Sequence, residues 1–164
     1  MKALVVNALS PDLSGVEFAE VPQPQRQPGQ VLVRIRAASL NFPDLLMTKG
    51  EYQMKPALPF TLGLELAGEV LETDPDGPLQ PGDRVFGGQK TGAFTEYAAL
   101  DATALRPIPD GMSFATAAAL GAATLLAPVL PGPAASAAEQ CGQRTSTGLL
   151  PETSYPLVAS GADH

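Results

Sequence analysis

Apolar and polar positions alternate through much of residues 2–110. In QVLVRIRAASL (residues 30–40), Val31, Val33, Ile35 and Ala37 fall on one face and Arg34 and Arg36 on the other. A period of two is the mark of a half-buried strand. GLELAGEVLET (residues 63–73) repeats the pattern, with Leu64, Leu66 and Val70 on one face and Glu65, Glu69 and Leu71 on the other. PGDRVFG and AFTEYAAL add short strands. Pro81-Gly82 supplies a turn, and the loop from Gly87-Gly88 to Gly92 reads as a hairpin connection. Many short strands with glycine and proline at the corners predict a small β-barrel or sandwich rather than a parallel α/β sheet.

Two segments carry helical signals instead. NFPDLLMTKG (residues 41–50) has proline near a first helical position and Gly50 past the end. In DGMSFATAAALGAAT (residues 110–124), Ser113 is placed to cap a run of alanines, predicting a helix over about 113–122. Beyond Thr124 the pattern stops. Pro128, Pro131 and Pro133 interrupt any helix, and the remaining residues keep neither period. The expected organisation is one domain over 1–124 and a low-complexity, disordered tail over 125–164. That tail has two readings: a natural low-complexity ending, or translation of a shifted frame in GC-rich DNA.

Composition narrows the function. The 164 residues carry a formal net charge of -7 without a cluster of Lys or Arg, which argues against nucleic acid and against an anionic membrane surface. Cys141 is the only cysteine and His164 the only histidine, so neither an internal disulfide nor a Cys/His zinc site can form. The N-terminal apolar run is too short for a signal sequence, and no stretch approaches the roughly 20 apolar residues of a membrane span. The expectation is a soluble protein of the reducing cytoplasm.

Candidate chemistry gathers in SLNFPDLLMTKGEY, where a carboxamide, a carboxylate and a phenol follow a strand: Asn41, Asp44 and Tyr52. Such groups can orient a polar ligand and donate a proton beside it. The structural alternative has Asn41 capping the helix, Asp44 in its positive first turn and Tyr52 on the barrel surface. Glu65 is expected to point inward, tied to backbone N–H groups or to Arg84. Gly68, inside a strand, implies a bulge or a close backbone approach. FGGQKTG lacks the spacing of a phosphate-binding loop, and Cys141 has no partner to activate it. No G-x-G-x-x-G occurs, so a dinucleotide pyrophosphate has no visible site.

In this order, LVRIRAASLNFPDLLMTKGEY, PFTLGLELAGEV, PGDRVFG, AFTEYAAL and IPDGMSFATAAAL resemble the N-terminal GroES-like domain of medium-chain dehydrogenase/reductases, over about residues 1–124. The implied fold is mainly β with short helices, a partly open α+β barrel, with the Rossmann domain absent. Zinc-dependent members carry a cysteine where Asn41 stands and a histidine where Leu64 stands, so the resemblance is to the zinc-independent quinone oxidoreductase branch. It implies NADP(H) as cofactor, a quinone or activated alkene as substrate, and no metal. It also places Asn41, Asp44 and Tyr52 beside nicotinamide and substrate, and Thr124 near the nicotinamide amide. The family continues into a cofactor domain, whereas here prolines follow Thr124. The resemblance therefore implies the N-terminal part of an oxidoreductase, inactive as this isolated chain and holding no cofactor alone. The alternative is a non-catalytic barrel that serves as a protein-interaction module, with self-association through the exposed cleft face.

Overall fold

The computed structural model describes residues 1–120. The expected tail, Thr124, Cys141 and His164 lie outside the described residues.

Among the described residues, eight strands form two antiparallel sheets. The smaller has the order β2-β1-β4, with β1 Lys2–Val6, β2 Val16–Glu20 and β4 Phe60–Thr61. The larger has the order β7-β3-β5-β6-β8, with β3 Gln30–Ser39, β5 Glu65–Glu72, β6 Arg84–Gly88, β7 Tyr97–Asp101 and β8 Leu105–Pro107. The segment 94–96 stitches the sheets together: Leu4 N–H of β1 donates to Phe94 O at 2.8 Å, and Ile35 N–H of β3 donates to Glu96 O at 2.9 Å. The result is a partly open barrel of the expected kind.

The alternating positions build the interior. Val31 and Val33 of β3 pack with Leu66 and Val70 of β5, Val85 of β6 and Leu100 of β7, and Ile35 leans on the same cluster. Fully burying an aliphatic side chain of this size is worth about 1.5–3 kcal/mol, so this layer is the main stabilising element of the larger sheet.

Ala37 departs from its expected face. It joins a second cluster with Ala67, Phe86, Ile108, Ala117 and Ala118. The reason is a bulge: Ile35 pairs with Gly68 and Ala37 with Ala67, so Arg36 is the extra residue and the parity of β3 flips after it. Gly68 permits this, because a Cβ there would stand 2.2 Å from the carbonyl oxygen of Arg34. The close approach expected at this glycine is present.

The second cluster seats helix α2, Phe114–Ala119. Ser113 occupies its N-cap, the Oγ accepting from Thr116 N–H at 3.1 Å. The helix starts where expected and ends at Ala119 with Leu120 as its C-cap, short of the expected 122. Arg84 does not reach Glu65; its guanidinium lies 4.6 Å from the Phe114 ring centroid and donates to Met112 O, clamping the start of α2 to β6.

The glycine-flanked loop after β6 is not a hairpin. β6 pairs with β5 and β8, whereas β7 pairs with β3 at the far edge of the sheet. The connection must therefore cross the ends of β5 and β3, and it docks on the way: Gln89 N–H donates to Leu64 O at 2.8 Å and Ala93 N–H to Gly63 O at 3.0 Å.

Candidate functional site

Helix α1, Phe42–Lys49, follows directly from β3 and presents the candidate residues. Pro43 opens it, and Gly50 closes it at φ 73°, donating to Met47 O while Glu51 N–H reaches back to Leu46 O at 2.9 Å. Met47 and Thr48 are buried beneath it.

Asn41 occupies the N-cap of α1, but its amide N–H groups turn elsewhere. Nδ2 donates to Glu65 Oε2 at 2.8 Å and to Ser39 Oγ at 3.2 Å. The Ser39 hydroxyl in turn donates to Glu65 Oε2 at 2.6 Å. What is held at the helix start is the Asn41 backbone: its N–H donates to Asp44 Oδ2 at 2.8 Å, and its carbonyl accepts from Asp44 N–H at 3.0 Å.

Asp44 is wholly buried and Glu65 is 5% exposed. Asp44 Oδ1 has no hydrogen-bond partner. Loss of water raises the Asp44 carboxyl above its ordinary range, the charge of Glu65 adds to the rise, and N–H donors from Asn41 and Gly63 oppose it. Glu65 was expected inward and is; its partners are Asn41 and Ser39 rather than Arg84 or a backbone N–H.

An open cleft of about 850 Å³ lies between α1, the start of β5 and the loop after β6. Asn41, Tyr52, Leu64 and Glu65 line it together. Asp44 does not; it sits beneath the helix start and touches the cleft only through Asn41. The Tyr52 ring packs on a cluster of Val6, Met47, Phe60 and Leu62. Gln89 and Lys90 also line it and were not among the expected site residues. Their signal was indirect: a polar glycine-flanked loop whose position depends on a crossover between distant strands. Such a volume falls within the roughly 300–1,000 Å³ of small-molecule sites.

Where zinc-dependent relatives of the resembled family carry cysteine and histidine, the cleft carries the side chains of Asn41 and Leu64. Among the described residues no group of three or more His, Cys, Asp or Glu could hold a metal ion. Among the same residues, no helix is long and apolar enough to cross a membrane.

An antiparallel, partly open barrel with a short helix over a mostly apolar cleft that carries a few polar side chains defines a dehydrogenase-type GroES-like domain. The chain belongs to the alcohol dehydrogenase GroES-like domain family, whose model matches residues 27–110. Within that family it resembles the N-terminal domain of zinc-independent quinone oxidoreductases. It is 42% identical over 94 residues to quinone oxidoreductase-like protein 2 of Mus musculus, covering 57% of this chain and 27% of that protein. It is 39% identical over 133 residues to the trans-enoyl reductase milB of Cordyceps militaris, covering 73% of this chain and 35% of that protein. The solved quinone oxidoreductase of Thermus thermophilus, known also in complex with NADPH, superposes with a TM-score of 0.67 at 32% identity, over 79% of this chain and 39% of that one. The chain thus spans 27% to 39% of the length of these relatives.

Proposed function

We propose that these residues form the substrate side of an NADPH-dependent, zinc-independent oxidoreductase that delivers hydride to a quinone or an activated alkene. One observation carries the reading: Asn41 and Tyr52 line a single cleft with Leu64 and Glu65 at its floor. The quinone oxidoreductase and enoyl reductase names of the relatives support the reaction class, and the NADPH complex of the Thermus thermophilus enzyme supports the cofactor.

The lining fits the nicotinamide end of such a cofactor. Phe42 and Tyr52 offer apolar faces, Asn41 an acceptor oxygen, and the cleft is wide enough for a ring beside a substrate. The pyrophosphate has no counterpart here, since the chain contains no G-x-G-x-x-G. When bound, the reduced nicotinamide supplies the hydride. The chain's own residues then have distinct roles. Asn41 orients the bound ring, and Asp44 anchors the Asn41 backbone from below. The Tyr52 phenol holds the acceptor's carbonyl oxygen and, directly or through water, supplies its proton. Leu64 and Phe42 exclude water. Thr124, expected near the nicotinamide amide, lies outside the described residues. Zinc has no part, because an asparagine amide is a poor ligand and a leucine none.

Two measurements test this. NADPH titrated into the 164-residue chain and followed by nicotinamide fluorescence should show no saturable binding; a micromolar Kd contradicts the proposal for this chain. Residues 1–120 joined to the dinucleotide-binding domain of a quinone oxidoreductase should oxidise NADPH only when quinone is added. A folded chimera without that dependence counts against the reaction class.

A second reading, a barrel that docks another protein or a second copy by its cleft face, is favoured by Leu40 and Phe42, which remain 74% and 70% exposed on either side of Asn41. Size-exclusion chromatography with light scattering tests the self-association form, and a clean monomer counts against it.

A further inference from the structure

We infer that Glu65 is the charge-bearing residue of the cleft: its carboxylate, left without a cationic partner in the protein, favours a positively charged ring over a neutral ring of the same shape, and so the oxidised form of a nicotinamide over the reduced form. The inference rests on the reading of the cleft as the nicotinamide end of a cofactor site.

The protein donors that reach Glu65 converge on one oxygen. Asn41 Nδ2 donates to Oε2 at 2.8 Å and the Ser39 hydroxyl to the same Oε2 at 2.6 Å. Among the described residues no donor reaches Oε1, and Glu65 forms part of the cleft wall. No ion pair neutralises the group either. Among the described residues, the carboxylates paired with Arg side chains or the N-terminus are those of Glu20, Glu69, Glu72 and Asp74. A carboxylate that is 5% exposed is little screened by water, so its field reaches into the cleft. Two hydrogen bonds offset part of the cost of burying it, and a cation in the cleft would recover more.

The other groups around the cleft do not cancel this field. Asp44, buried beneath the start of α1, brings no positive charge. Lys90 lines the same cleft but is exposed, and a solvated ammonium acts much more weakly than a buried charge. In hydride transfer a ring carbon gives up hydrogen with its electron pair to the acceptor; the acceptor is reduced, and the ring is left with one positive charge. The proton that completes the acceptor is the one already assigned to Tyr52 or water. Glu65 stabilises the positive charge as it develops, so its contribution is larger in the transition state than before it.

A matched pair of probes reads this directly. 1-Methylnicotinamide and 3-methylbenzamide share the methylated six-membered ring and the carboxamide, and differ in a ring N⁺ against a ring carbon. Titrated into the ¹⁵N-labelled 164-residue chain at about 0.05 M salt, both should shift cleft resonances, with the cation favoured about tenfold. Glu65→Gln is isosteric and uncharged. In it the preference should fall to about twofold, the remainder coming from the aromatic faces of Phe42 and Tyr52, while the backbone spectrum stays that of the folded wild type. The chain's net charge of -7 also draws cations, and salt separates the two sources without any variant. At about 0.5 M salt distant surface charges are screened, whereas about half or more of the preference due to Glu65 should remain. Equal affinities in wild type, a preference unchanged in folded Glu65→Gln, or a preference abolished by salt overturns the inference alone. Binding of neither probe overturns the reading of the cleft on which it stands, and the inference with it.

Discussion

The backbone N–H of Asn41 donates to Asp44 Oδ2 at 2.8 Å, so a residue that lines the cleft is anchored by a carboxyl group with no exposure to solvent. Burial lifts that carboxyl above its ordinary value of 3.8. The folded state therefore holds the proton more tightly than the unfolded chain. Its stabilising contribution is complete below the unfolded value and is lost as pH rises through the folded one. Asp44→Asn keeps an acceptor oxygen and removes the titration. From about pH 4 upward, its thermal midpoint should fall less than that of wild type, and parallel curves would refute the assignment. Asp44→Ala leaves the buried N–H of Asn41 without its acceptor and should cost about 1–3 kcal/mol in urea unfolding.

Gly68→Ala tests the bulge. The new Cβ would lie 2.2 Å from the Arg34 carbonyl oxygen and 2.7 Å from Val33 Cγ1, so backbone has to move. A loss of about 1–3 kcal/mol or more is expected, measured by chemical unfolding; a neutral result would mean that β3 and β5 approach less closely than described.

Ser113→Ala removes the oxygen that accepts from Thr116 N–H at 3.1 Å. About 1 kcal/mol should be lost, and Ser113→Asp should recover most of it. Equal losses in both variants would show that the cap contributes little to seating α2.

Tyr52→Phe separates packing from chemistry. The ring's contacts with Val6, Met47, Phe60 and Leu62 are kept, so stability should stay within about 0.5 kcal/mol. Affinity for a carbonyl ligand in the cleft should drop about fivefold, the worth of one hydrogen bond. An unchanged affinity would remove Tyr52 from the site.

Much of the frame was legible because it depends on local rules. The alternation of Val31 and Val33, and of Leu66 and Val70, identified the buried face; proline near the start and Gly50 at the end bounded α1; Ser113 marked the start of α2. The features that escaped depend on pairing between distant segments. Ala37 changes face because Arg36 bulges against a partner strand, and single-strand periodicity cannot register that. The loop carrying Gln89 and Lys90 reaches the cleft because β7 pairs with β3 and not with β6. Asn41, Asp44 and Tyr52 stood out in the sequence as a group, yet their division was not visible. A carboxylate in a first helical turn is usually solvated there, and only the packing of α1 on the barrel buries Asp44. The Glu65–Asn41 contact joins the start of β5 to the end of β3, and no spacing in the chain announces it.

A fully substituted benzoquinone, to which the Cys141 thiol does not readily add, can be titrated into the ¹⁵N-labelled 164-residue chain while backbone resonances are followed. Saturable shifts are expected at Asn41, Tyr52, Leu64 and Gln89, around the cleft between α1 and β5. Saturation instead at the smaller groove lined by Leu4, Phe18 and Phe94, or no saturable shift in a folded chain, would contradict the assignment of the cleft as the substrate side of an oxidoreductase.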